Sequence, residues 1–212
     1  MASATGTVGS KNATTASSGQ YDQSFMPSGA QRVSDGHGRY LDTALRGRSF
    51  LAANQTGKAI SNLSASATGW VLTNPVASGQ YVSLNTFMTQ QAVAATTAIC
   101  SLELAFGVVS ATAVVHTTPL TVRNIPLGNG GTSVGLVDDT ATLPAAPVVV
   151  WSLWAPSVSA TATTGIPPVI NADIAGAIPI APGTSISLSA TTAMTNISAG
   201  IWEEVPVNAQ YS

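Results

Sequence analysis

Residues 80–88 read QYVSLNTFM, and the order of polar and apolar groups in them decides the fold. Taken with a period of two, Tyr81, Ser83, Asn85 and Phe87 point to one side, and Val82, Leu84, Thr86 and Met88 to the other. That period marks an extended strand, because successive Cβ atoms leave opposite faces of the backbone. Residues 97–107, TAICSLELAFG, repeat it more cleanly: Cys100, Leu102, Leu104 and Phe106 form an apolar side against Ile99, Ser101, Glu103 and Ala105. Further short runs rich in Val, Ile, Leu, Thr and aromatics lie at 49–54, 69–75, 119–127, 147–156, 185–191 and 197–207. Gly, Pro, Asn and Ser punctuate them, and the prolines from Pro75 to Pro206 stand at run ends, where a missing N–H does little harm. About eight strands without a long helix predict an all-β chain: an antiparallel β-sandwich, jelly-roll-like, with an extended N-terminal arm.

The composition shifts place the arm at 1–48 and the sandwich body at 49–212. Residues 1–30 are rich in Ser, Thr, Ala, Gly and Gln with no period, so they bury no core of their own and are expected to order on a partner surface. Residues 31–48, QRVSDGHGRYLDTALRGR, carry four of the seven basic residues: Arg32, Arg39, Arg46 and Arg48. Tyr40, Leu41, Ala44 and Leu45 have helical spacing, Arg39 and Asp42 lie three apart, and Gly47 is placed to end the turn. A basic clamp on an acidic neighbour and a solvated linker helix both fit this segment. Two stretches read as loops: the Gly-rich 126–140, and the long, Pro-rich and nearly uncharged 155–184. Ordered loops of that length are commonly functional or interfacial, and contact with neighbouring copies is expected.

Charged residues make up 8% of the 212, against roughly 25% in an ordinary soluble domain. A surface coated by hydroxyls and small apolar groups favours association, so much of it is expected to lie against copies or a larger assembly. The net charge of −2, without a basic tract, speaks against nucleic acid as a partner. No apolar run reaches transmembrane length and the N-terminus is polar, so neither a membrane partner nor secretion is expected.

Chemistry-bearing residues are sparse. Glu203 and Glu204 are adjacent, but on a strand they face opposite sides, so a paired-carboxylate site is poor geometry. One of them is expected to face solvent and the other to meet an arginine within the assembly. His37 and His116 are the two histidines, and no nucleophile-elbow context accompanies them. Asp138, Asp139, His116 and Asp173 suggest a metal set only weakly, and Cys100 reads as a buried thiol. Asn12, Asn54, Asn62 and Asn196 begin glycosylation sequons that Ser/Thr richness explains by chance. Trp70, Trp151, Trp154 and Trp202 are candidates for a sugar-binding surface, with one of Trp151 and Trp154 expected in the core and the other at an edge. No catalytic residue, cofactor or metal is expected.

DGHGRYLDTALRGRSFLAANQTG, WVLTNPVASGQYVSL, IAPGTSISLSA and the closing GIWEEVPV, within residues 33–207, resemble structural proteins of tailed-bacteriophage virions, including capsid decoration (cement) proteins. The resemblance implies a non-enzymatic homotrimer on the capsid surface, made in the host cytoplasm. It would bridge subunits of the major capsid protein with its arms and stabilise the shell. On that footing Tyr21, Phe25 and Met26 are expected to anchor the arm, with Tyr40 beside them, and Arg32, Arg39, Arg46 and Arg48 to make electrostatic contacts. A receptor- or glycan-binding head-fibre or tail-spike domain is the alternative.

Overall fold

The computed structural model describes residues 24–25, 31–32, 40–93, 101–108, 114–126, 131–154, 169–192 and 194–207. The chain divides into two compact units, Met1–Leu41 and Asp42–Ser212. In the first, β1 (Ser24–Phe25) and β2 (Gln31–Arg32) pair antiparallel, with Ser24 opposite Arg32 and Phe25 opposite Gln31. A short helix, α1 (Leu41–Leu45), follows where the spacing predicts it.

The second unit is an antiparallel sandwich. Its strands are β3 (Ser49–Ala53), β4 (Lys58–Ile60), β5 (Ser66–Asn74), β6 (Gln80–Val93), β7 (Leu102–Val108), β8 (Val115–Pro119), β9 (Arg123–Asn124), β10 (Leu136–Thr142), β11 (Val148–Trp154), β12 (Val169–Ile180), β13 (Thr184–Ala190) and β14 (Met194–Pro206). Sheet I runs β11-β7-β13-β5-β10-β8, and sheet II runs β12-β6-β14-β3-β9, with β4 beside β14. The pairs β3/β4 with β14, β5 with β13, β6 with β12 and β7 with β11 nest inside one another. Such a long hairpin rolled across two sheets is the strand order of a jelly roll. β8, β9 and β10 all come from the connection between β7 and β11 and widen the two sheets.

Leu72, Leu104, Val137, Ile186 and Leu188 of sheet I meet Phe50, Val82, Leu84, Phe87, Ile174, Ile180, Met194 and Trp202 of sheet II in one buried core. Trp70 stands edge-on to Phe87 with centroids 5.1 Å apart, and its indole N–H donates to Ala52 O at 3.3 Å. On β13 the alternation is strict: Ile186 and Leu188 enter the core, while Ser185 and Ser187 hydroxyls donate to the carbonyls of Gly107 and Ala105 on β7.

Three expectations change. The alternation in QYVSLNTFM breaks at Asn85: Thr86 lies opposite Ile201 and Leu84 opposite Trp202, so Asn85 is an extra residue in β6. A bulge of this kind reverses the facing of all that follows, which is why Phe87 is buried with Val82 and Leu84 rather than opposite them. The Gly-rich stretch 126–140 ends in strand β10, and the last part of 155–184 is strand β12. Asp138, Asp139, Asp173 and Pro179 hid both. The acids of β10 are buried and meet His116 of β8 and Lys58 of β4, and β12 is an edge strand, where proline is tolerated.

Gly200 of β14 lies under the Trp70 indole, and a Cβ there would collide with ring atoms Cζ2 and Cη2. Gly200→Ala is expected to lower unfolding free energy by about 1–3 kcal/mol, the usual cost of overpacking, as read by urea denaturation.

Candidate partner-binding site at the arm–body junction

α1 ends in a glycine-stopped turn. Gly47 has a φ of 69°, its N–H donates to Ala44 O at 2.9 Å, and the Arg48 N–H donates to Thr43 O at 3.1 Å. These two bonds satisfy the last helical carbonyls, and only glycine adopts that left-handed backbone without penalty. The turn is then held from two sides. Asn124 Nδ2 of β9 donates to Gly47 O at 2.7 Å, and the Glu204 N–H of β14 donates to Arg48 O at 2.9 Å. Arg46 and Arg48 therefore leave a fixed backbone with exposed side chains. Arg123, also exposed, is the neighbour of Asn124 and lies opposite Leu51 of β3. The register thus puts a third arginine one residue from the asparagine that holds the turn, on the opposite face of β9, a position that no local pattern in PLTVRNIPL announces.

Glu204 holds this corner together from beneath. It is 2% exposed, on the same inward face of β14 as Trp202. Its carboxylate accepts from Ser133 Oγ at 2.5 Å, from the backbone N–H of Gly135 at 3.0 Å and of Val134 at 3.0 and 3.1 Å, and from the Trp202 indole at 3.3 Å. An arginine is the partner expected for one of the two glutamates and solvent for the other; Glu204 instead meets backbone amides, because residues 133–135 turn their N–H groups toward β14 just before entering β10. Glu203 faces the other way and is half-buried. The two carboxylates thus occupy opposite sides of one strand, as the period of two predicts. A cleft of about 190 Å³ opens on the Glu204 side, lined by Gly47, Arg48, Phe50, Gln80, Thr132, Glu204 and Pro206.

Of the arm residues expected to bind a partner, Tyr21, Met26 and Arg39 lie outside the described residues. Phe25 and Arg32 fall on β1 and β2. Tyr40 is half-buried just ahead of α1. Cys100 and His37 also lie outside the described residues.

The residues weighed for a metal site go to three places. His116 Nδ1 meets the fully buried Asp138 at 2.5 Å, Asp139 pairs with Lys58 Nζ at 3.3 Å, and Asp173 is on β12 of the other sheet. Among the described residues no three such groups come together. Trp70 and Trp202 are fully buried, so they offer no sugar-binding surface, whereas Trp151 is 38% exposed. Asn54 and Asn196 are buried in a polar network: Asn54 accepts from the Ser198 N–H at 2.6 Å and donates to Gly69 O at 2.9 Å, and Asn196 donates to Thr89 Oγ1 at 2.9 Å. Both are closed to glycosylation in the folded chain.

Comparison with protein-family models, with curated proteins and with solved structures gives no match.

Removing the Glu204 side chain leaves the buried Gly135 amide, the half-buried Val134 amide and the buried Trp202 indole without this acceptor. Glu204→Ala is expected to cost about 3 kcal/mol or more, while Glu203→Ala costs within about 1 kcal/mol. Paired urea titrations of the two variants measure the difference; equal losses would mean the carboxylate carries no such role.

Proposed function

We propose that the chain is a bacteriophage capsid decoration (cement) protein, which binds the outer capsid surface and stabilises the shell by bridging subunits of the major capsid protein. The observation that carries this reading is the junction turn. The turn at residues 46–48 is held by Asn124 and Glu204, Arg46 and Arg48 are exposed on it, and exposed Arg123 is one residue from Asn124. In a chain with 8% charged residues, three of the seven cations are exposed on this turn and on the strand that holds it. An acidic patch on a neighbouring capsid subunit is the complementary partner. Arginine suits this role because its planar fork binds carboxylates in pairs.

The resemblance of residues 33–207 to virion structural proteins supports the same reading. The work done is mechanical: each copy adds contact across a seam between subunits, and many copies acting together resist internal pressure through avidity. Low side-chain entropy favours such packing, since Ser, Thr, Ala and Gly lose little freedom when covered.

The test keeps the whole chain. Arg46→Glu with Arg48→Glu is expected to weaken binding to heads assembled without the protein by at least tenfold near 0.15 M salt, with unchanged melting. The parent's advantage should shrink at 0.5 M salt, where exposed charges are screened. Equal binding by parent and double variant, measured by co-sedimentation with heads, would exclude the basic corner as the docking site.

A further inference from the structure

We propose that β11 is a self-association edge, on which Val148–Trp154 of one copy pairs antiparallel with the same strand of a second copy of this chain. β11 ends sheet I, and among the described residues β7 is the strand it pairs with. Its other side presents ladder N–H and C=O groups, a template for another strand. Four consecutive large apolar residues line it: Val148, Val149, Val150 and Trp151 are 69%, 37%, 48% and 38% exposed. The pairing with β7 skips Val150 and Leu153, so two bulges interrupt the strict alternation of the strand. Neighbouring apolar side chains are thereby left outside together.

The other edges are guarded. β8 carries His116 and stops at Pro119. β9 is two residues long and holds Arg123. β12 contains Asp173 and Pro179, and its ladder to β6 is broken between Asp173 and Ile178, where Ala175 and Gly176 have φ of 58° and 77°. β11 has no charge and no proline. Indeed, the sequence from Thr140 to Ala172 holds no charged residue. That neutrality selects the occupant. A charged partner finds no counter-charge there, whereas an identical strand brings no like-charge repulsion and sets β-branched and aromatic groups against their own kind. Pairing about a two-fold axis makes the contact self-complementary and closes it at two copies, unlike the trimer that the resemblance implies. The proposal does not depend on capsid binding, since it concerns copies in free solution.

Sedimentation of the full-length chain tests it, with Val148→Lys/Val150→Lys as the variant. The parent is expected at twice the 21.3 kDa chain mass, and the variant at the single-chain mass with unaltered circular dichroism and a dimer dissociation constant raised at least a hundredfold. Should the lysines impair folding, Val148→Thr/Val150→Thr retains β-branching and is expected to weaken the dimer at least tenfold. A monomeric parent, an assembly of odd number, or an assembly that the folded variants leave intact overturns the proposal. Head binding is not read in this experiment, so its outcome is separable from that of the arginine reversal.

Discussion

Glu204 ties together three parts of the chain that are far apart in sequence. Its N–H holds Arg48 O, its carboxylate holds residues 133–135, and its place on β14 joins it to the longest ladder of sheet II. Residues 133–135 lead into β10 of sheet I, so one side chain links the sheets at this end of the sandwich. A buried carboxylate is tolerable only with its lone pairs filled by donors, and here backbone amides, a hydroxyl and an indole supply them. The same residue that secures the fold thereby fixes the backbone from which Arg48 projects. Stability and presentation of the basic corner are consequences of one set of hydrogen bonds.

The sandwich was legible in the sequence wherever a strand buried one face and kept a period of two. SISLSA and GIWEEV keep that period and form β13 and β14 at those positions. The turn at Gly47 was legible for a local reason, since helical spacing followed by glycine prescribes its own stop. β10 and β12 were not legible. LVDDTAT buries two acids whose partners, His116 and Lys58, come from distant strands, and VINADIAGAIPI carries proline and a positive-φ pair that only an edge position tolerates. The bulge at Asn85 is likewise a property of pairing with β14, invisible in β6 alone. Of the candidate site, Arg46 and Arg48 could be named from charge clustering. Arg123 and the amide partners of Glu204 required the register of strands separated by many residues.

The distribution of polarity connects the fold to the proposed role. Inside the sandwich, Asn54, Thr89, Asn196 and Ser198 are joined in one hydrogen-bonded network. Outside, among the described residues, Arg46, Arg48 and Arg123 are exposed on and beside the Gly47 turn, and four consecutive large apolar side chains are exposed on β11. A surface of this kind has two distinct means of contact, one electrostatic at the Gly47 turn and one apolar along a sheet edge; the proposed shell subunit would use the first and the proposed second copy the second. Neither demands chemistry from Glu203 and Glu204, whose adjacency in sequence becomes separation across a strand.

The Glu204 carboxylate pins residues 133–135 as firmly as a strand is pinned. Amide hydrogen exchange at Val134 and Gly135 measures this. These two amides are expected to exchange only through opening on the scale of the whole sandwich, with protection close to that of β14. Exchange at open-loop rates while β14 remains protected would contradict it.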